Sequence, residues 1–245
     1  MDDQWTEIPE DWELPEQKQE EPEIYFSDSL IALYTAFQNQ VHKPKSVLYP
    51  SCGFDASPAK VFDKVTFVDA EKGNEGCIEK LKEAGLTAYK QDIKVYQPSE
   101  LHDLVILLNP AIPHEWATRH MQTGYVIANE YHHTATELFH DPQFRLWGTL
   151  DFIVNDFENK RYEVKVSQNL EGLFEEVQTI EDLKALNPDY AEFLIDSVES
   201  FASDDATLKT FDEKWAAFRT ALHQHKPYRR KAELYIFKKN VPEEI

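Results

Sequence analysis

The chain has 245 residues, of which 42% are hydrophobic and 13% aromatic, so it can bury a sizeable core. Its 45 acidic residues against 25 basic ones give a formal net charge of −20, which repels a nucleic-acid polymer. No apolar run approaches the ~18 residues needed to cross a bilayer, and the acidic start at Met1 does not resemble a secretory signal. We therefore expect a cytoplasmic protein whose partners include neither a membrane nor a nucleic acid.

Residues 1–23 are crowded with Asp, Glu, Gln and Pro. Such a segment buries too little apolar surface to offset the entropy lost on ordering it. We expect a flexible acidic tail here, followed by a single domain over residues 24–245. Trp5 and Trp12 are unusual in a solvated segment, and docking of these side chains onto the domain or a partner is the alternative.

Helical and strand patterns then alternate along the chain. Ser27 is suited to cap an amphipathic helix that ends near Val41, and Gly85 to end a second helix that starts near Asn74. Five short apolar runs stop at polar residues, and they begin at Ser46, Val65, Leu86, Leu104 and Tyr125. Short continuous apolar runs separated by helices or loops are typical of parallel strands that are covered on both faces.

The pattern changes after the fifth run. Residues 150–154 and 162–166 read as strands around a polar turn, Phe211 and Trp215 mark a late helix, and residues 233–238 form a closing strand. A last strand that arrives after a helix fits an antiparallel edge on a parallel sheet. We predict an α/β fold with a doubly wound, mostly parallel sheet, an antiparallel C-terminal edge strand and three α/β/α layers.

The first three predicted strands end at residues that suit one ligand. Ligands of open α/β sheets bind where loops leave the carboxyl ends of the strands. The first strand runs into a turn with Gly53, whose missing side chain lets the backbone approach a ligand. The second strand ends at Asp69, and a carboxylate can accept two hydrogen bonds from a vicinal diol. The third strand ends beside Asp92.

With these strand ends the chain resembles the class I S-adenosylmethionine (SAM)-dependent methyltransferases, which have a Rossmann-like fold. The resemblance covers residues 47–129, and it implies SAM as the cofactor. It implies that Asp69 accepts the ribose hydroxyls, that Asp92 receives the adenine amino group and that Ile93 packs on the adenine ring. The cofactor-binding residues that it implies are Tyr49, Pro50, Ser51, Gly53, Asp55, Asp69, Ala70, Asp92 and Ile93. The family usually has two or three glycines in the first turn, whereas Gly53 stands alone here.

The fourth and fifth strand ends flank the transferred methyl group in this family. Asn109 is followed by a proline, which partly resembles the Asn-Pro-Pro-aromatic motif of amino-group methyltransferases, although the second proline and the aromatic residue are absent. Methyl transfer needs alignment and, for a hydroxyl or amine acceptor, a base. The catalytic candidates are Asn109, His114 and His132, with His133 and Glu130 as alternative bases. The same histidines and His140 could instead hold a divalent metal, and the sequence alone assigns no metal ligand.

Two functions are consistent with these residues. The first is a SAM-dependent methyltransferase that acts on a small-molecule or protein acceptor. The second is a catalytically silent methyltransferase-like domain that serves protein binding. A nicotinamide oxidoreductase would share the acidic residue after the second strand, but the G-x-G-x-x-G fingerprint is missing. The sequence identifies neither the acceptor nor the oligomeric state.

Overall fold

A computed structural model of the chain describes residues 22–108, 112–177, 179–186, 188–201, 207, 210–221 and 228–240. Trp5, Trp12 and most of the predicted tail lie outside these residues. The strands are β1 (Val47–Pro50), β2 (Val65–Asp69), β3 (Thr87–Lys90), β4 (His102–Leu107), β5 (Met121–Ala128), β6 (Phe144–Asp156), β7 (Arg161–Ser167) and β8 (Leu234–Lys239). The helices are α1 (Asp28–Gln40), α2 (Cys77–Glu83), α3 (Glu115–Thr118), α4 (Thr134–His140), α5 (Ile180–Leu186), α6 (Pro188–Phe201) and α7 (Phe211–Ala221), with a 3₁₀ helix at Ser57–Lys60.

The strands form one sheet in the order β3-β2-β1-β4-β5-β8-β6-β7. Strands β1 to β5 pair in parallel, and β8 runs antiparallel to both of its neighbours. The predicted doubly wound, mostly parallel sheet with an antiparallel last strand is therefore confirmed. The edge position predicted for that strand is wrong, because the hairpin of β6 and β7 pairs with the outer side of β8 and covers it.

Two apolar layers cover the sheet, so the predicted three-layer architecture is also confirmed. Helices α1 and α2 bury Phe37, Ile78 and Leu81 on one face, while α3 and α4 bury Ala117 and Leu138 on the other. Helix α1 begins after Ser27, whose hydroxyl oxygen accepts the Leu30 N–H at 3.4 Å, as the sequence predicts. None of the helices in the described ranges is long and apolar enough to cross a membrane.

Helices α5, α6 and α7 form a separate helical unit between β7 and β8. Its side chains make their own apolar cluster, which includes Ile180, Val198 and Trp215. The sequence predicted only the last of these helices. A hydrogen-bonding contact between the Tyr228 hydroxyl and Thr136 Oγ1, 2.9 Å apart, joins the chain that returns from this unit to α4. The segment that leads into β8 is thus held against the start of α4.

The hairpin of β6 and β7 extends beyond the carboxyl edge of the sheet. Leu150 of β6 pairs with Leu234, the first residue of β8, so the later residues of β6 pair only with β7. Its apolar side chains, including Val164 and Val166, pack against the core beneath α1. The charged residues that alternate with them on β7, Arg161, Glu163 and Lys165, are exposed.

A buried histidine lies at the opposite, amino-terminal edge of the sheet. His102 begins β4 and is 4% exposed; its Nδ1 lies 2.8 Å from Ser46 Oγ, and its Nε2 has no hydrogen-bond partner within the described ranges. Burial, with smaller contributions from His120 and Lys64, lowers the pKa of His102 to about 4. Burial also lowers the pKa of His120. We infer that both rings are neutral in the folded protein at pH 7.

Acid is expected to destabilise the fold through His102. The unfolded chain binds a proton at this side chain below its ordinary pKa of about 6.5, whereas the folded chain does so only near pH 4. The free energy of unfolding should therefore fall by roughly 3 kcal/mol between pH 7 and pH 4 because of this group. Denaturant titrations of the wild type and His102→Gln over that range measure the effect. The variant should lose less stability than the wild type, and parallel pH profiles would contradict the assignment.

Candidate functional site

Two adjoining cavities open at the carboxyl edge of the sheet, and both are lined by Ser51 and Asn74. The first, which we call the β2–β3 cavity, has a volume of about 320 Å³ and is lined by Ser51, Val68, Asp69, Ala70, Lys72, Asn74, Gln91, Asp92, Ile93, Ile112 and Trp116. The second, the β1–β8 cavity, has a volume of about 390 Å³ and is lined by Tyr25, Leu30, Tyr49, Ser51, Cys52, Gly53, Phe54, Asp55, Asn74, Leu108, Asn129, Glu233 and Leu234.

The structure brings eight of the nine predicted cofactor-binding residues to these cavities. Those that line the β2–β3 cavity are Ser51, Asp69, Ala70, Asp92 and Ile93. Those that line the β1–β8 cavity are Tyr49, Ser51, Gly53 and Asp55. Pro50 lines neither cavity, because it is the buried last residue of β1.

Asp69 joins the loops that follow the first two strands. Its carboxylate is 5% exposed; Oδ2 accepts the Gly53 N–H at 2.9 Å and Oδ1 accepts the Glu71 N–H at 2.6 Å. Gly53 has a φ of +54°, a left-handed conformation that favours glycine. Each carboxylate oxygen has two lone pairs, so both can accept a further hydrogen bond from a ligand.

A second buried carboxylate fixes the loop between β2 and α2. Glu71 Oε1 accepts the Ile78 N–H at 3.0 Å, and Lys90 Nζ lies 2.5 Å from Oε2. The hydrogen bond from Lys90 lowers the pKa of Glu71. The loop that carries Ala70 and Lys72 along the β2–β3 cavity is therefore held at both ends, at Asp69 and at α2.

Asp55 organises the turn after β1. It is 2% exposed and accepts hydrogen bonds from the Tyr49 hydroxyl at 2.9 Å, from the Ser57 N–H at 2.8 Å and from the Ser57 hydroxyl. Burial raises the pKa of Tyr49 well above its usual value, with further contributions from Tyr34 and Asp55. The Asp55 carboxylate is already bonded to three donors, so its main effect is to shape the turn.

The far wall of the β2–β3 cavity is largely apolar. Asp92 follows β3 closely, and its Oδ1 accepts the Lys94 N–H at 2.8 Å. Beside it lie the buried Ile93 and the half-buried side chains of Ile112 and Trp116. A carboxylate next to apolar and aromatic walls suits a flat heteroaromatic ring with an amino group.

Two of the three predicted catalytic residues, His114 and His132, line neither cavity. Asn109 lies outside the described residues. His114 is buried in a third cavity, where its Nε2 lies 2.9 Å from Asp141 Oδ2 and its Nδ1 lies 3.5 Å from Glu137 Oε2. It lines neither of the two cavities above, because the chain after β4 carries it to the start of α3, against the end of α4.

His132 is exposed and lines neither cavity, because β5 ends at Ala128 and the following turn carries it outward. Its ring packs edge-on against the Tyr131 ring at a centroid distance of 4.9 Å. Glu130 accepts hydrogen bonds from the N–H and the hydroxyl of Thr136, at the start of α4, and burial raises its pKa. Within the described ranges, no three His, Cys, Asp or Glu side chains are grouped to hold a metal ion.

Several residues of the site were missed in the sequence. Asn129 stands directly after β5 and lines the β1–β8 cavity. Its position at a strand end could have indicated this, but the histidines that follow it were chosen instead. Trp116 lies on α3 and Asn74 on the loop before α2, and the sequence does not fix the path of either segment. Glu233 reaches the site because β8 lies inside the sheet next to β5, and no local pattern indicates that.

No protein-family model and no curated protein matches the sequence. Among solved structures, it is similar to the N-methyltransferase NodS of Bradyrhizobium japonicum WM9 in complex with S-adenosyl-L-homocysteine (SAH), with 12% identity, 42% of this chain and 59% of that chain covered, and a TM-score of 0.33. It is also similar to the sugar N-methyltransferase KedS8 of Streptoalloteichus sp ATCC 53650. The identity is 14%, the match covers 52% of this chain and 55% of that chain, and the TM-score is 0.34. Both are methyltransferases. A third similar structure is StiE O-MT, with 14% identity, 85% of this chain and 73% of that chain covered, and a TM-score of 0.41.

The chain spans less than two thirds of the length of the NodS and KedS8 structures. At TM-scores this low, the likeness adds nothing to the fold that the strand order already establishes.

Loss of the hydroxyl group is expected to change the stability of the fold in different directions at Tyr49 and Tyr34, two tyrosines near the first turn. Tyr49→Phe removes a donor from the buried Asp55 and should destabilise the fold by about 1 to 2 kcal/mol. Tyr34 is fully buried, and its hydroxyl has no hydrogen-bond partner in the part of the chain that the structure describes. Tyr34→Phe should therefore be neutral or stabilising by up to about 1 kcal/mol. Chemical denaturation measures both, and equal losses would contradict the hydrogen-bond assignment.

Proposed function

We propose that this chain is a SAM-dependent methyltransferase that acts on a small-molecule or protein acceptor. One observation carries the proposal. Residues after three different strands, each at a position where the resemblance to the methyltransferases implies a contact with one part of SAM, line two adjoining cavities at the carboxyl edge of the sheet. The proposed domain covers residues 24–245, and the proposed acidic tail covers residues 1–23.

The residues present fit the parts of SAM. Asp92 and Ile93, with Trp116, would hold the adenine, and the remaining lone pairs of Asp69 would accept the ribose hydroxyls. The turn at Gly53 would lie along the methionine part. A side chain there would adopt a strained conformation, and its Cβ would lie 3.4 Å from the Asn74 side chain. The left-handed backbone of this turn therefore favours glycine at position 53.

The charges of the β1–β8 cavity agree with the same ligand. SAM, when bound, supplies a methyl group on a positively charged sulfonium. Among the residues that the structure describes, those that line this cavity include no Lys, Arg or His, so a sulfonium would meet no like charge from them. Methyl transfer is a direct displacement, and the main task of the chain is to align the acceptor with the methyl group.

The acceptor would approach from the side of β5 and β8, where Leu108, Asn129 and Glu233 line the β1–β8 cavity. Asn109 keeps a place in the proposal, because it directly follows Leu108 in the sequence. His114 and His132 line neither cavity, so neither is proposed as the base.

Asp69→Ala is expected to weaken SAM binding by about 1.5 to 3 kcal/mol, because charge-assisted hydrogen bonds to the ribose would be lost. Calorimetric titration with SAM and with SAH measures the affinity. Asp63→Ala, which removes an exposed carboxylate outside both cavities, is the matched control and should bind like the wild type.

Two outcomes would count against the proposal. Unchanged affinity in a folded Asp69→Ala variant would remove Asp69 from the cofactor site. A wild-type chain that binds neither SAM nor SAH would favour the alternative of a catalytically silent domain.

A further inference from the structure

The β1–β8 cavity contains two carboxylates that differ in what already bonds to them. Asp55 accepts three hydrogen bonds from Tyr49 and Ser57. The Glu233 carboxylate, in contrast, has neither a hydrogen bond nor an ion pair with any residue that the structure describes. Glu233 is therefore the carboxylate of this cavity that is open to a ligand.

The backbone of Glu233 is fixed although its carboxylate is open. Its N–H donates to Asp151 Oδ1 at 3.2 Å, and Asp151 Oδ2 in turn accepts the Thr149 hydroxyl at 2.8 Å and lies 3.5 Å from Arg230. Partial burial raises the pKa of Glu233, and the neighbouring Asp151 raises it further. A carboxylate in such surroundings gains from a cationic partner more than a fully solvated one does.

The rest of the cavity also suits a cation with an apolar body. Tyr25, which is 54% exposed, and Phe54 supply aromatic side chains, and Leu30 and Leu234 supply aliphatic ones. Aromatic faces attract organic cations. An anionic ligand would meet two carboxylates and, in the described part of the lining, no basic side chain.

We propose that the β1–β8 cavity binds a small organic amine as its ammonium ion, that Glu233 is the ionic partner, and that this amine is the methyl acceptor. The role as acceptor depends on the proposed methyltransferase function, whereas the binding preference does not. A hydroxyl acceptor would donate a hydrogen bond to the Glu233 carboxylate but would lack the opposite charge that an ammonium group adds, so it would bind more weakly.

The proposed transfer balances as follows in atoms and charge. The ammonium group loses one proton to the Glu233 carboxylate, which is exposed enough to pass it to water. The freed nitrogen lone pair forms the new bond to the methyl carbon while the bond between that carbon and sulfur breaks. The electron pair of the broken bond stays on sulfur. The products are the N-methylammonium ion, SAH and one proton.

Three probes that share a phenylethyl group test the binding preference: 2-phenylethylamine, 2-phenylethanol and 3-phenylpropionate. Calorimetry or ligand-observed NMR, with and without SAH, should show that the amine binds about tenfold or more tightly than the alcohol, with the propionate weakest. Glu233→Gln keeps the side-chain shape and the backbone bond to Asp151, so it should abolish the preference for the amine. Glu158→Gln, which removes an exposed carboxylate from the turn between β6 and β7, should retain it.

Methyl transfer from labelled SAM tests the role as acceptor. The amine should be methylated and the alcohol should not, and Glu233→Gln should lower turnover about a hundredfold while SAM affinity changes less than about twofold. A lysine-containing peptide in parallel separates a free amine from one on a protein. Equal binding of the three probes, or an unchanged preference in Glu233→Gln, would overturn the amine site. An amine that binds together with SAM without being methylated would overturn its role as acceptor.

The two proposals fail separately. A chain that does not bind SAM or SAH but still prefers the amine would exclude the methyltransferase function and leave the amine site standing. A chain that binds SAM but shows no preference among the probes would exclude the amine site and leave the methyltransferase function standing.

Discussion

One carboxylate, that of Asp69, keeps the site together. Hydrogen bonding between β1 and β2 stops where the strands end, so their loops need another connection. Asp69 supplies it by accepting the N–H groups of Gly53 and Glu71 while it is almost fully buried. Charge-assisted hydrogen bonds of this kind are stronger than neutral ones. Ser51 and Asn74, which line both cavities, lie on the two loops that this carboxylate joins.

Most acidic side chains around the site are already committed to structure. Asp69 bonds to backbone amides, Asp55 to hydroxyls and an amide, and Glu71 to Lys90 and the start of α2. Each of these groups compensates its buried charge within the fold, as buried carboxylates generally do. This separates carboxylates that build the cavities from Glu233, whose charge is left for a ligand.

The sequence predicted the half of the sheet whose signals are local. Parallel strands that are buried on both faces leave continuous apolar runs, and the residue after each run lies at the carboxyl edge, so Asp69 and Asp92 could be found. The place of β8 depends on pairing with β6, more than 80 residues away, and no local pattern encodes that. Glu233 was missed for the same reason. His114 and His132 follow their strands by several residues and line neither cavity, because a loop, once it leaves its strand, can turn a side chain toward either layer.

The two outermost strands of the sheet, β3 and β7, carry exposed charged residues at the border of the sheet. Strand β7 alternates Arg161, Glu163 and Lys165 with its packed residues, and β3 is only four residues long and ends at the exposed Lys90. Charged and short borders discourage another chain from adding a strand, since the incoming backbone would have to desolvate those charges. The sheet therefore terminates itself on both sides, and copies of this chain that associate should do so through helices or loops.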